Sequence, residues 1–105
     1  MNIAITARGY KAPEQLKNYI YEKLNRINRF SEIIMDSEAI LSYEKQVQIV
    51  ELKVKLRHKV IRIKEKSEDV YKSVDLAVDN LELQIAKAKD KLKDRSKQKM
   101  IENLE

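Results

Sequence analysis

The amino-acid sequence predicts an α+β sandwich of two layers, in which a four-stranded sheet carries two helices on one face. Two observations predict this class: apolar residues alternate with polar ones in four short segments, and they recur at three- and four-residue spacing in two longer segments. The order along the chain is β-α-β-β-β-α, which is typical of separate sheet and helix layers. Because a helix connects the first two strands, we expect these strands to be parallel and the others to be joined by hairpins.

The first strand is predicted over residues 2–6, where Ile3 and Ile5 alternate with polar residues. Pro13 then stands at a first-turn position of a helix, which tolerates the missing N–H group. The helix is predicted from Pro13 to about Phe30, because its apolar residues recur with helical periodicity. These residues are Leu16, Tyr19, Ile20, Leu24, Ile27 and Phe30.

The other three strands are predicted over residues 38–45, 50–56 and 60–66. The clearest is the middle one, in which four aliphatic residues alternate with charged residues. A two-residue turn at His58-Lys59 would join it to the last strand, although neither residue is of the Asn-Gly type that favours such turns. The pairs expected from this register are Leu56–Ile61 and Val54–Ile63 on one face, and Lys55–Arg62 and Lys53–Lys64 on the other.

The second helix is predicted from roughly Asp69 to Leu92, with Ser67 or Asp69 as its cap. Its apolar stripe is unbroken and consists of Val70, Val74, Ala77, Val78, Leu81, Ile85, Ala88 and Leu92. We therefore expect residues 1–95 to form one folded domain. Residues 96–105 lose the apolar period, so they are expected to form a flexible basic tail.

Positive charge is concentrated at the end of the second helix. The chain has a net charge of +5, and residues 87–99 alone contain seven basic and two acidic residues, which equals the excess of the whole chain. Such clustering favours a polyanionic partner. Cations near a helix C-terminus are also favourable without any partner, so the composition leaves both interpretations open.

The residue content argues against an enzyme or a metalloprotein. The chain has no cysteine, one histidine and one glycine, so it offers no thiolate metal site, no hydrolase-type nucleophile–base pair and no glycine-rich phosphate loop. Asp75 and Asp79 could share a metal ion across one helical turn, but solvated acids or an ion pair are favoured. We expect no catalytic residue, cofactor, metal or small-molecule substrate.

The sequence also argues against a membrane partner. No apolar run approaches the ~20 residues that cross a bilayer, and the first residues show no signal-peptide pattern. A cytoplasmic location is therefore expected.

Three groups of basic residues are candidates for contact with a polyanion, and each could instead be a solvated surface. The first is a ridge beside the apolar stripe of the first helix. The second is the basic segment of the second helix, and the third is the charged face of the last hairpin. Their members are Lys23, Arg26 and Arg29; Lys87, Lys89, Lys91 and Lys93; and Lys53, Lys55, Arg62 and Lys64.

The second-helix sequence resembles that of the ribosome hibernation-promoting factor family, also called ribosome-associated inhibitor or protein Y. Residues 69–75 (DVYKSVD), the segment Asp79-Asn80-Leu81, Gln84 and residues 87–93 (KAKDKLK) are similar to the family's DMYxAID, DKL, Q and KxKDKLK. The order and length of the other segments extend the resemblance to about residues 2–95. Asn80, Leu83 and Ala7 depart from the Lys, Arg and Gly that the family commonly has.

This resemblance implies the same fold and a function in translation. Members bind in the decoding region of the small ribosomal subunit, so that an idle ribosome cannot translate. It implies contact with ribosomal RNA through Lys23 and Arg26 of the first helix and Lys87, Lys89 and Lys91 of the second. Arg29 and Lys93 extend these two sets, and the hairpin face is a secondary candidate. The chain resembles a short member or the N-terminal domain of a long one.

Two other functions stay open on the residues alone. A protein-interaction module would dock through Leu76 and Leu83, which lie off the apolar stripe, and its basic surface would only be solvated. A general binder of double-stranded RNA would have similar sheet-and-helix layering. A steep salt dependence of ribosome binding separates phosphate contact from apolar docking, and competition by free duplex RNA identifies the general binder.

Overall fold

A computed structural model describes the backbone of residues 2–104 and the side chains of residues 2–91. Its elements, in chain order, are β1 Ile3–Ala7, α1 Glu14–Leu24, the 3₁₀ helix Asn25–Phe30, β2 Ile34–Glu44, β3 Val47–Leu56, β4 Val60–Ser67 and α2 Val70–Leu104. The predicted α+β class and the order β-α-β-β-β-α are confirmed.

The four strands form one mixed sheet in the order β1-β2-β3-β4. β1 and β2 are parallel, with Ile3 level with Ser37 and Ala7 level with Leu41. β2 and β3, like β3 and β4, are antiparallel neighbours. The expected parallel crossover and the two hairpins are therefore confirmed, and β1 and β4 form the edges of the sheet.

Strands β2 and β3 are longer than the sequence predicts. β2 begins at Ile34 instead of near residue 38, and β3 begins at Val47, three residues earlier than expected. Glu44 pairs with Val47, so Lys45 and Gln46 form a two-residue turn in which Lys45 adopts a φ of 57°. Neither turn residue is glycine or asparagine, so the usual sequence signal for such a turn is missing.

The register of the β3–β4 hairpin differs from the predicted one by two residues. The observed pairs are Glu51–Lys64, Leu52–Ile63, Lys53–Arg62, Val54–Ile61 and Lys55–Val60. Because a shift of two residues returns every side chain to its original face, hydrophobic alternation does not distinguish the two registers. The faces are as predicted, but Lys64 lies opposite Glu51 instead of a lysine.

The turn of this hairpin explains the shift. The N–H of Leu56 donates to the carbonyl oxygen of Lys59 at 2.8 Å, which makes Arg57-His58 the turn in place of His58-Lys59. The single histidine is exposed in this turn, as the sequence predicts.

The core lies between the inner face of the sheet and two helical segments. The first segment is α1 with the 3₁₀ helix that follows it, and the second is α2. The first helical segment contributes one buried stripe and α2 another, in the positions that the sequence predicts. The largest members of this core are Leu16, Ile20, Leu24, Ile27 and Phe30; Leu41, Val50, Leu52, Val54, Leu56, Ile61 and Ile63; and Val74, Val78, Leu81 and Ile85. Both predicted helix stripes are therefore core over the described side chains, whereas Leu92, the last predicted member of the second stripe, lies outside them.

The first helix is shorter than predicted, because its α-helical part ends at Leu24 and continues as a 3₁₀ helix to Phe30. Leu24, Ile27 and Phe30 recur every three residues and are all buried. Three-residue spacing keeps side chains on one face of a 3₁₀ helix, which has 3.0 residues per turn. The predicted burial is thus correct, while the predicted helix type is wrong for the last six residues.

Helix α2 begins after Asp69, whose Oδ1 accepts a hydrogen bond from the N–H of Tyr71 at 2.9 Å. Of the two predicted caps, Asp69 therefore occupies the capping position. One turn later the buried hydroxyl of Ser73 donates to the carbonyl oxygen of Gln48 at 2.9 Å. This bond ties the start of α2 to the beginning of β3.

The C-terminal residues continue the backbone of α2 to Leu104. Side chains beyond Lys91, including that of Lys93, lie outside the described residues. The flexible basic tail expected over 96–105 stays a prediction. Within the part of the chain that the structure describes, no helix has both the length and the apolar character to cross a membrane.

Two leucines on α2 provide a matched test of this packing. Leu81 is fully buried, whereas Leu83 is 63% exposed. We expect Leu81→Ala to lower the free energy of unfolding by about 2–5 kcal/mol, because it leaves a cavity in the core. Leu83→Ala removes the same atoms from the surface and should change it by less than ~0.5 kcal/mol. Urea unfolding of both variants is the measurement, and similar losses would contradict the packing.

Candidate functional site

The helical layer carries a row of ion pairs between α2 and the first helical segment, which we call the ion-pair ladder. Its cations are the three basic residues that the sequence singles out on the first helix. Its carboxylates come from successive turns of α2. The contacts are Lys23 Nζ to Asp75 Oδ1 at 3.7 Å, Arg26 Nη2 to Asp79 Oδ1 at 3.0 Å and to Glu82 Oε1 at 2.6 Å, and Arg29 Nη2 to Glu82 Oε2 at 3.4 Å.

Helical spacing brings the two halves of the ladder together. Its cations recur every three residues, and its carboxylates recur after four and then three residues, so each set stays on one side of its helix. Each set also flanks a buried stripe, and packing the stripes on the sheet turns the two sets towards each other. Asp75 and Asp79 therefore form ion pairs with Lys23 and Arg26, as the sequence predicts in preference to a shared metal ion. Among the described residues, no group of three or more His, Asp or Glu side chains could hold a metal ion.

The ladder is electrically neutral, because three cations face three carboxylates. Most of its side chains are exposed enough for solvent to weaken the attraction, with Asp79 at 61% and Arg26 at 44%. Each such pair contributes roughly 0–1 kcal/mol to stability. The predicted basic ridge exists, but in the free protein it presents little net charge to a polyanion. The sequence signal for this was the 4-then-3 spacing of the acidic residues on α2.

A tyrosine anchors one end of the ladder. The hydroxyl of Tyr19 donates to Asp75 Oδ1 at 2.5 Å, and its ring packs edge-on against Tyr71 with the ring centroids 4.9 Å apart. The hydrogen bond to Asp75, with burial and the nearby carboxylates, raises the pKa of Tyr19 to about 12. Similarly, the hydrogen bond to Asp79 raises the pKa of Arg26, so both groups keep their protons at neutral pH.

At the other end of the ladder, two cations lie near the ring of Phe30. The Arg29 guanidinium carbon lies 4.6 Å from the centroid of this ring, and Lys89 Nζ lies 5.8 Å from it. Cation–π attraction to this ring therefore helps to hold both cations in place. Of the candidate cations on α2 whose side chains the structure describes (Lys87, Lys89 and Lys91), Lys89 is thus the one that lies against the first helical segment.

Lys87 and Lys91 lie on the opposite flank of α2. Side chains advance by about 100° per residue around an α-helix, so both point roughly 160° away from Lys89. They continue the 4-3-4 spacing that starts with Asn80 and Gln84, and both are exposed. The candidate residues of α2 therefore divide between two surfaces, which sequence reasoning had treated as one.

An open groove of about 330 Å³ runs between the edge strand β4 and α2. The side chains of Asn80 and Gln84 line its helix wall, and Asn80 donates to Glu65 Oε1 at 3.3 Å. The residues of β4 and its preceding turn that line the groove are Lys59, Val60, Ile61, Arg62, Ile63 and Lys64. We call this the β4–α2 groove. Sequence reasoning missed it, because it named Arg62 and Lys64 only as part of the open sheet face.

The remaining hairpin cations lie on the inner strand β3, where carboxylates oppose them. Lys53 pairs with Glu38 and Lys55 with Asp36 in the β2–β3 register. All four residues line a shallow depression on the open face of the sheet. Opposite charges directly across a strand pair favour the sheet. The open face therefore carries more compensated charge than its lysines alone suggest.

The fold and its charged helical layer define a small two-layer α+β protein with basic surfaces that could contact a polyanion. Among the described residues, no cluster of acidic or histidine side chains could hold a metal ion. Residues 3–93 match the family described as the sigma 54 modulation protein / S30EA ribosomal protein family, and the chain belongs to this family. The resemblance to ribosome hibernation-promoting factors is thereby confirmed at the level of the family.

Individual relatives agree with this assignment. The chain is 28% identical over 91 residues to a protein of Azotobacter vinelandii named ribosome hibernation promoting factor, covering 87% of this chain and 85% of that one. It is 25% identical over 87 residues to the ribosome hibernation promotion factor of Staphylococcus aureus (strain COL), covering 80% of this chain and 46% of that longer protein.

Solved structures show the same fold. A ribosomal subunit interface protein from Coxiella burnetii superposes with a TM-score of 0.81 at 33% identity, covering 86% of this chain and 99% of that one. The N-terminal domain of Thermus thermophilus Protein Y superposes with a TM-score of 0.75 at 29% identity, covering 81% and 96% respectively.

The anchored tyrosine gives a pH-dependent test of the ladder. Because the folded-state pKa of Tyr19 is raised above its ordinary value of 10.0 to about 12, its contribution to stability is present below pH 10 and is lost as the pH rises towards 12. Burial also raises the pKa of Tyr10, so absorbance titration of the five tyrosines should show more than one delayed group. The latest component, at about pH 12, belongs to Tyr19, and Tyr19→Phe should remove it. The same late component in the variant would contradict the assignment.

Proposed function

We propose that this protein binds the small ribosomal subunit and inhibits translation by occupying its decoding region, where messenger and transfer RNA would lie. It acts by occupancy and not by catalysis, and it works in the cytoplasm without a small-molecule substrate or a membrane partner. The observation that carries the proposal is family membership over residues 3–93. Relatives named for ribosome hibernation support it.

The basic residues of the helices supply the proposed contact with ribosomal RNA. On α2 these are Lys87, Lys89 and Lys91, with Lys93 beyond them. Such cations bind phosphate groups whatever the base sequence, and the release of counterions from the RNA drives binding.

The residues of the first helical segment act differently, because they are already paired. In the ladder, the contacts to carboxylates use Nη2 of Arg26 and Arg29. A guanidinium has five N–H donors, so each arginine keeps donors for a phosphate while its carboxylate holds it in place. Arg26 and Arg29 are therefore proposed as oriented contacts that add specificity more than attraction. Lys23, whose ammonium group has three donors, is proposed as a further contact beside Asp75.

A second candidate function has one supporting observation. Leu76 and Leu83, one heptad apart on α2, are 39% and 63% exposed, as docking to a protein partner would need. Two exposed leucines are also ordinary on a surface of this size. The ribosome proposal is preferred because family membership supports it independently.

Binding to the small subunit should weaken steeply with salt. If roughly six or more phosphates are contacted, affinity should fall by about three or more orders of magnitude between 50 and 200 mM salt. Co-sedimentation with small subunits across this range is the measurement. An affinity that does not change with salt would favour apolar docking through Leu76 and Leu83 instead.

Removing charge from α2 should separate binding from folding. We expect Lys87→Gln/Lys91→Gln to stay folded, because exposed changes of this kind usually cost under ~0.5 kcal/mol each. Ribosome binding and inhibition of in-vitro translation should fall together, by roughly tenfold or more at moderate salt.

The matched control for this variant is Lys53→Gln/Lys55→Gln, which removes the same charge from the inner strand of the sheet. It should weaken binding less, because both lysines lie opposite carboxylates. A sheet variant that loses binding while the helix variant keeps it would place the RNA on the open face of the sheet.

A further inference from the structure

The β4–α2 groove joins two basic sets that lie far apart in the sequence. One wall is the outer edge of β4 with Lys59, Arg62 and Lys64, and the other is the flank of α2 that begins with Asn80 and Gln84. No acidic residue is among those that line it. The groove thus differs from the ion-pair ladder, where every cation has a carboxylate partner. Of Lys59, Arg62 and Lys64, Lys64 alone lies opposite a carboxylate of β3, that of Glu51. Glu65 adjoins the groove at its bond to Asn80.

Lys87 and Lys91 extend the helix wall of this groove. β4 ends at Ser67 and α2 starts at Val70, so the helix returns alongside the strand in the opposite direction. Asn80 lies beside Glu65. With rises of about 1.5 Å per helix residue and 3.3 Å per strand residue, Lys87 comes roughly level with Arg62.

By the same arithmetic Lys91 comes roughly level with Val60, next to Lys59. Five cations therefore flank the groove, and the two amides of Asn80 and Gln84 lie between them on the helix wall. The helix wall from Asn80 to Lys91 is about 16 Å long.

On these grounds we infer that the β4–α2 groove binds the phosphodiester backbone of one RNA strand. Cations on both walls contact phosphates, and the two amides can donate to phosphate, sugar or base-edge oxygens. The inference rests on the proposed function, because the RNA strand would belong to the small subunit. It adds a second contact surface, on the flank of α2 that faces away from the ladder.

The charge pattern of β4 argues against a second copy of this chain as the occupant. An exposed edge strand can pair with another strand. Antiparallel pairing of β4 with itself in one continuous sheet would bring residues of the same face together, so Arg62, Lys64 and Lys66 would oppose one another. Like charges directly across a strand pair are destabilising, whereas a polyanion neutralises them.

The experiment compares two doubly substituted variants on neighbouring strands. Arg62→Gln/Lys64→Gln removes two charges from the groove wall, and Lys53→Gln/Lys55→Gln removes two from the same sheet face outside the groove. We expect the groove variant to bind small subunits at least about tenfold more weakly at moderate salt, with a salt slope lower by about 2. The control should change affinity by less than about threefold. Equal losses in both variants would overturn the groove.

A cross-linking arm identifies what lies in the groove. The chain has no cysteine, so Gln84→Cys provides a single thiol for a photoreactive label, and Glu44→Cys provides an exposed control far from the groove. Cross-links from position 84 to ribosomal RNA are expected, with few from position 44. Cross-links from position 84 only to ribosomal protein, or none to the subunit, would overturn the inference.

Two further readouts separate this inference from the proposed function. If wild-type protein does not co-sediment with small subunits, the proposed function fails. The groove is then judged on a short RNA duplex at low salt, where Arg62→Gln/Lys64→Gln should still bind more weakly than Lys53→Gln/Lys55→Gln. Equal binding of the two variants to the duplex would overturn the groove on its own.

Discussion

The structure depends above all on the burial of one apolar stripe of α2 against the sheet. Val74, Val78, Leu81 and Ile85 are each at most 1% exposed. Removing this much apolar surface from water is worth roughly 1.5–3 kcal/mol for each large side chain. No surface ion pair competes with that magnitude. The stripe therefore fixes the rotation of α2 about its axis, and every other residue of the helix takes its position from it.

Once the stripe faces the sheet, the two flanks of α2 acquire different electrostatic roles. One flank turns Asp75, Asp79 and Glu82 towards the first helical segment, where they neutralise its basic ridge. The other turns Asn80, Gln84, Lys87 and Lys91 towards the β4 edge, where further cations lie. Within the described residues of α2, the flank towards β4 thus carries Lys87 and Lys91 without the carboxylates that neutralise the ladder. A basic residue count alone would have assigned both sides the same attraction for RNA.

In the binding to ribosomal RNA that we propose, the neutral ladder and the cationic groove would have different roles. Uncompensated cations give long-range attraction that is sensitive to salt. Arginines held by carboxylates lose less conformational freedom on binding and tolerate phosphates only in restricted directions, because a misplaced phosphate meets a carboxylate. The proposed function needs both properties, because the protein would have to find ribosomal RNA and ignore other polyanions.

The sequence determined the fold class, the parallel crossover, the two buried stripes and the identity of the core residues. The fold class, the stripes and the core follow from local periodicity, which records the face of a strand or helix that a residue occupies. The parallel crossover follows from the helix between the first two strands. The tertiary structure alone decided the register of the β3–β4 hairpin, because a shift of two residues leaves every face unchanged. It also decided the partners of the charged residues. Periodicity places Lys23 and Asp75 on the rims of their helices, but their contact across 52 residues of sequence depends on how the two helices pack on the sheet.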